Sequence, residues 1–248
     1  MLYDFHAHLD MLEENELVDA LKKAKEKNVS EIISCSTSFP SNEKNLELAQ
    51  KFPQIKSGIG LYPLDALELT ELELDKAFYF FEAEIQKASA IGEVGLDFKY
   101  STKKEEKEKQ EQIFRKFITL SKKYSKPMII HSRFAQKRVL EILREEKAEK
   151  VLLHSFCDSL KLMKEARSLG YYISCGMIIL SNKEMQKNIS SFSAEKLLFE
   201  TDSPMRFNGE KAYPDKIPLI AKRVSELTST PLKEIELNQK KAFSELFR

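Results

Sequence analysis

The chain of 248 residues has no tryptophan, 7 glycines, 8 prolines, 4 histidines and 3 cysteines. So little glycine and proline excludes collagen-like and Gly/Pro-rich disordered chains. Cys35, Cys157 and Cys175 are odd in number, widely spaced and form no Cys-x-x-Cys, which argues against a disulfide framework or a cysteine zinc site. No apolar run approaches the roughly 20 residues of a membrane span. The opening Met1-Leu2-Tyr3-Asp4-Phe5 has neither the basic start nor the apolar stretch of a secretory signal. Net charge is also missing: 40 Lys+Arg against 39 Asp+Glu leave +1. That excludes a globally basic nucleic-acid coat but leaves room for a local phosphate site. The expectation is a reduced, soluble, cytoplasmic protein, not membrane-bound and without an obligate protein partner.

What is present is a regular alternation. Hydrophobic residues make up 42%, enough to fill a core. Short apolar, β-branched runs at 2–6, 31–35, 55–59, 90–94, 128–131, 151–154, 171–175 and 197–201 read as strands. Amphipathic stretches at 15–27, 72–87, 104–124, 134–146, 159–168, 215–227 and 232–246 read as helices, with Thr70-x-x-Glu73 as a capping box and Pro231 at a first turn. The alternating-sign run at 103–109 reads as a solvated helix start. Strand–helix repetition predicts a parallel sheet with crossover helices. Eight units in this length predict a (β/α)8 TIM barrel, a single domain over 1–248, with a doubly wound open sheet as the alternative.

The histidines carry the chemistry. His6-Ala7-His8 ends the first strand, and residues two apart in a strand point to one side. Alone, such a pair is more often coincidence than a metal site. His131 and His154, however, also end predicted strands, so all four histidines are predicted at the barrel mouth where ligands converge. Glu93 sits in Ile91-Gly92-Glu93-Val94-Gly95, and Asp202 follows the last strand. A glutamate inside an apolar strand is costly unless paired or metal-bound. Four imidazoles and two carboxylates suit two divalent cations bridged by a carboxylate, with Mg, Mn, Zn or Ni all compatible.

These segments resemble the TatD family of metal-dependent deoxyribonucleases. The resemblance is carried by Asp4-Phe5-His6-Ala7-His8-Leu9-Asp10, Ile91-Gly92-Glu93-Val94-Gly95-Leu96-Asp97, Ile130-His131-Ser132-Arg133, His154-Ser155-Phe156 and Glu200-Thr201-Asp202-Ser203-Pro204, in the family's order along nearly the whole chain. It implies a TIM barrel with a binuclear metal site that hydrolyses phosphodiester bonds from DNA 3′ ends. His6, His8 and Asp202 would hold one metal, Glu93 would bridge, and His131 and His154 would hold the other. Asp202 would also take the proton of the attacking water. Arg133 is the phosphate contact, because a guanidinium grips phosphate oxygens in a fork; Lys99 and Arg206 are expected beside it. Glu200 and Asp4 are expected to support the ligands from behind, Asp10 to cap a helix and Asp97 to serve as a capping or loop residue.

Three segments depart from the family pattern. Gly60-Leu61-Tyr62-Pro63 has Tyr62 where the family has histidine, Asp158 stands where it has glycine, and Lys211-Ala212-Tyr213-Pro214 replaces Arg-Asn-x-Pro. Tyr62 can still donate a hydrogen bond or stack on a base. The expected substrate is single-stranded or frayed DNA. The alternatives are an acyl, ester or amide hydrolase on the same barrel, such as an aminoacyl-tRNA deacylase, and a non-catalytic metal-binding protein.

Overall fold

The computed structural model describes residues 1–157 and 159–247. Eight parallel strands pair in sequence order: β1 (Leu2–Ala7), β2 (Val29–Cys35), β3 (Ile55–Ile59), β4 (Ala90–Asp97), β5 (Met128–Arg133), β6 (Val151–Leu153), β7 (Tyr172–Cys175) and β8 (Leu197–Phe199). The expected (β/α)8 barrel is thus the observed fold. The strands are buried along nearly their whole length, as a parallel sheet under crossover helices must be. Around them lie α1 (Glu14–Glu26), α2 (Phe39–Lys51), α3 (Pro63–Leu67), α4 (Glu71–Glu84), α5 (Lys104–Tyr124), α6 (Gln136–Glu145), α7 (Leu160–Ser168), α8 (Lys183–Ser190), α9 (Ile217–Thr228) and α10 (Leu232–Phe247). The Thr70/Glu73 capping box opens α4: Glu73 N donates to Thr70 Oγ1 at 3.3 Å, and Thr70 N donates back to Glu73 Oε2 at 2.8 Å.

Apart from the five-residue α3, two helices are not read from the apolar periodicity, and α2 shows why. Its buried face carries Ser41, Asn42, Asn45 and Leu46, so there is no apolar stripe to read. The asparagines work as struts instead. Asn42 exchanges two hydrogen bonds with the backbone of Gly60, at 2.8 and 2.9 Å. Asn45 accepts from Ser34 and donates to Ser36 and Asp10. The other, α8, opens with Asn182 accepting from Met185 N. A small hairpin, β9 (Arg206–Phe207) with β10 (Glu210–Lys211), turns through Asn208-Gly209 with both residues at positive φ, the geometry that this dipeptide favours.

Inside the barrel, Tyr3, Phe5, Ile33, Ile129, Leu152 and Leu198 pack together with Phe243 of α10. Phe243 stacks on Tyr3 at 4.5 Å, so the last helix seals the end where the strands begin. The opposite end stays open. Two strands are irregular there. Asp4 pairs with Ile32 but Ala7 with Ser34, and Ile91 pairs with Met128 but Val94 with Ile130. In each case three steps on one strand oppose two on its neighbour, so β1 and β4 each carry one extra residue. Such bulges re-aim side chains beside active sites, and these two hold His6 and Glu93.

The last seam, between β8 and β1, is closed beyond the strand ladder. Asp202 N donates to His6 O at 3.0 Å, and His8 N donates to Ser203 O at 2.6 Å. Gly95 leaves its neighbour no room to change: its φ is +141°, and a Cβ there would lie 2.1 Å from His131 O. Cys35, Cys157 and Cys175 are buried and outside any disulfide, and the Cys157 thiol donates to Ser174 O at 3.2 Å. Among the described residues, no helix is long and apolar enough to cross a membrane.

Candidate metal centre

His6 lies near the end of β1 and His8 just past it, and their Nε2 atoms face each other at 3.2 Å. Asp202 Oδ1 is 3.4 Å from His6 Nε2 and 3.3 Å from His8 Nε2. Glu93 Oε2 is 3.6 and 3.3 Å from the same two nitrogens. Each carboxylate oxygen therefore stands 3.3–3.6 Å from both imidazole nitrogens. An ion with tetrahedral bonds of about 2.0–2.1 Å separates its ligands by about 3.3–3.4 Å, so these nitrogen–oxygen separations have the size of those in a coordination shell. The ring of His8 is oriented from behind: its Nδ1 is 2.8 Å from Cys35 O. A carbonyl only accepts, so Nδ1 carries a hydrogen and Nε2 meets the carboxylates with either a second proton or a lone pair. Two carboxylates aimed at a lone pair require a cation between them.

The other oxygen of Glu93 serves a second set. Glu93 Oε1 lies 2.7 Å from His131 Nδ1 and 3.4 Å from His154 Nε2. His6, Glu93 and His154 form a compact donor group, as do His6, His8 and Asp202. His131 meets these groups through Glu93, while its Nε2 stands 3.4 Å from Asp97 Oδ2. Behind His154, Nδ1 lies 3.1 Å from Glu200 Oε1, and the Ser174 hydroxyl donates to the other Glu200 oxygen. Asp202 adopts a left-handed φ of 53°, which aspartate tolerates better than most residues.

The electrostatics match a site built for cations. Burial works against charge on Glu93, but His131, His154 and His8 hold its carboxyl well below the usual range. Burial likewise opposes Asp202, and His6 and His8 keep it low. On the imidazole side, burial again opposes charge. Asp202 and Glu93 nonetheless push His8 well up, Asp97 and Glu93 raise His131, and Glu200 with Glu93 lifts His154 to about 10. His6 is the exception, lowered by burial and by neighbouring His154. Protons on the imidazoles thus balance the carboxylates, and divalent cations would displace those protons. The donor chemistry of His6, His8, Glu93, His154 and Asp202 fits divalent cations, and His131 lies outside the two compact groups.

The TatD related DNase family matches residues 3–248. The chain belongs to the TatD family. It is 31% identical over 257 residues to the uncharacterized metal-dependent hydrolase YabD of Bacillus subtilis, covering 100% of this chain and 99% of YabD. It is 32% identical over 213 residues to the deoxyribonuclease TATDN3 of Homo sapiens, covering 82% of this chain and 78% of TATDN3. The crystal structure of the TatD homologue YJJV from Escherichia coli superposes with a TM-score of 0.89 at 25% identity, covering 99% of this chain and 97% of that one. The chain is accordingly a metal-dependent hydrolase of the TatD barrel type.

In this TatD barrel the donor cluster opens into a cavity of about 660 Å³ lined by Tyr62, Arg133 and the metal-side residues. Arg133 ends β5, half-buried, with its guanidinium 5.4 Å over the Tyr100 ring. The three expected cations do not share that cavity. Lys99 lies over the same Tyr100 ring, and Arg206 is turned into the β9–β10 hairpin, bonded to Gly209 O. Tyr62 donates to Asp97 Oδ2 at 2.6 Å and lies edge-on to His131 at 4.9 Å. Its hydroxyl is therefore engaged in orienting the pair behind His131. Asp97 ends β4 and accepts from Tyr62 and from Lys99 N. Asp10 does not cap a helix; it is buried and accepts from Asn45. Lys211 and Tyr213 both bond to Glu16 in the first turn of α1. Asp158 lies outside the described residues. The sequence reading missed the roles of Ser174 and of the Cys35 carbonyl as props for the ligand rings. It also missed the apolar residues on the rim, although Phe134 directly follows the His131-Ser132-Arg133 segment.

Proposed function

We propose that this chain is a deoxyribonuclease that uses two divalent metal ions to cleave phosphodiester bonds at the 3′ ends of single-stranded or frayed DNA. The observation that carries this reading is the division of Glu93, with Oε2 facing His6 and His8 and Oε1 facing His131 and His154. A carboxylate so placed would be shared between two ions. His6, His8 and Asp202 would hold one, and His131 and His154 the other. When bound, the ions would polarise the phosphoryl oxygen and supply a nucleophilic water at neutral pH.

The protein's own groups do the rest. Asp202, ionised and open to the cavity on one side, accepts the proton of the attacking water. Arg133 holds a non-bridging phosphate oxygen from the rim, and its stack on Tyr100 fixes its direction. Tyr62 and Asp97 hold His131 in place. A guanidinium at the mouth favours a phosphoryl substrate over a neutral acyl ester. With a net charge of +1, affinity for DNA has to come from this mouth, and tight duplex binding is not expected.

The test is hydrolysis of a 3′-labelled oligonucleotide, in parallel with an aminoacyl-tRNA, across a series of divalent metals and with chelator. Nucleotide release that chelator and His6→Ala both abolish supports the reading. Ester cleavage without nucleotide release under any metal would replace it with the acyl-hydrolase alternative. The related enzyme TATDN3 is named a deoxyribonuclease, which supports DNA as the first substrate to try.

A further inference from the structure

Four large apolar side chains stand in solvent around the donor cluster, each from a different loop at the open end of the barrel. Met11 follows β1, Phe134 follows β5, Ile178 follows β7 and Met205 follows β8, and all four line the cavity that holds His131, Arg133 and Asp202. Phe134 is the extreme case, 74% exposed. Single exposed apolar residues need no explanation, but four that converge on one polar cavity do. Phe134 also has a left-handed φ of 57°, uncommon for a bulky residue. That backbone places its ring on the rim next to Arg133. Tyr62, also in the cavity wall, is half-buried, and its hydroxyl is tied to Asp97 and His131.

We propose that Phe134 is a stacking platform for the unpaired nucleobase beside the scissile phosphodiester, and that Met11, Ile178 and Met205 complete an apolar collar around it. The proposal rests on the nuclease reading above and names what selects the strand. Arg133 and Phe134 are adjacent, so a phosphate oxygen and a base of one nucleotide can be held side by side. A base inside a duplex has both faces covered and gains nothing from the ring. An unstacked base gains a full aromatic contact. Methionine is unbranched and polarisable, so the collar adapts to different bases. Stacking of this kind tolerates any sequence, because every base has a π-face. Phe134 is therefore a specificity-determining residue that discriminates unpaired from paired ends.

The experiment measures binding separately from hydrolysis. A 5′-labelled, phosphorothioate-linked oligothymidylate is titrated with metal-loaded protein and followed by fluorescence anisotropy. A matched oligonucleotide lacking its 3′-terminal bases is titrated in the same way. Phe134→Ala should weaken the first by about 5- to 150-fold, the range for loss of one base–aromatic stack, and leave the second unchanged. Phe134→Trp should restore binding. On cleavable oligothymidylate, Phe134→Ala should raise KM while kcat stays within about twofold, and its unfolding midpoint should match the wild type because the ring is exposed. Equal weakening on both oligonucleotides, no weakening on either, or no binding by the wild type overturns the proposal. Base-dependent binding through Phe134 without cleavage under any metal leaves the platform standing and removes the nuclease reading instead.

Discussion

Asp4 on β1 and Thr201 beyond β8 tie the barrel shut: Thr201 N donates to Asp4 Oδ1 at 3.0 Å, and the Thr201 hydroxyl bonds to Asp4 Oδ2. His6 N reaches the same Oδ1 at 3.3 Å. One buried carboxyl thus gathers the two chain segments that carry His6 and Asp202, whose donor atoms then meet at 3.4 Å. The seam and the donor cluster are parts of one arrangement.

Removing that carboxyl should therefore cost stability. Asp4→Ala leaves the Thr201 amide and hydroxyl without a partner in the interior, at about 1–3 kcal/mol for each unsatisfied group. Asp4→Asn keeps an acceptor for the amides and should cost much less. Urea unfolding of the metal-free proteins at about pH 4, where the folded wild-type carboxyl is protonated, would rank them wild type, Asn, then Ala; an Ala variant as stable as the Asn variant would contradict the seam argument.

The same residue gives a pH signature. Burial pushes the Asp4 carboxyl up from 3.8 to about 8, against the hydrogen bonds from Thr201 that pull it down. A folded pKa above the unfolded one means that the folded state holds the proton more tightly. The stability from this group is full below pH 3.8 and is lost as pH rises towards 8. Asp4→Asn cannot titrate. Its stability relative to wild type should accordingly improve between about pH 4 and pH 8, measured as the difference in urea midpoints without metal.

Metal loading should expel protons. In the metal-free protein His8 and His131 are raised, and His154 stands at about 10. Cations compete with those protons for the same nitrogens. Apparent affinity should rise with pH from 6 to 8, roughly tenfold per unit for each proton displaced. Calorimetric titration in buffers of different ionisation enthalpy would count the protons; a pH-independent affinity would show that the imidazoles are not the ligands.

Glu200 offers a test of the support behind a ligand. It touches His154 Nδ1 and Ser174 and stands outside both compact donor groups. Glu200→Ala should lower metal affinity by about 10–100-fold while the barrel stays folded, in line with other carboxylates that orient a ligating histidine. His6→Ala, which removes a donor shared by both groups, should lower it further. Elemental analysis at a fixed free-metal level, with circular dichroism as the folding control, distinguishes the two outcomes.

Much of this was legible in the sequence because its signals are local. Strand–helix alternation counts units, and the apolar runs place His6, His8, His154 and Asp202 at or just beyond strand ends; β4 and β5 run on past Glu93 and His131, to Asp97 and Arg133, which the polar residues there conceal. A polar buried face such as that of α2 has no apolar period, so propensity and patterning pass over it. The engagement of Tyr62 depends on Asp97 and His131, far along the chain, while the turn of Arg206 onto Gly209 O and the exposure of Phe134 are loop geometries that no apolar period records.

The sequence by itself determined the barrel, which end of it carries the chemistry and the types of donor gathered there. Only the tertiary structure decided how those donors are shared. The extra residues in β1 and β4 re-aim His6 and Glu93, and the Asp4–Thr201 seam brings Asp202 against His6 across nearly the whole chain. Bulges and seams are set by pairing between strands, and pairing is a property of two segments at once, which no window of a single segment contains.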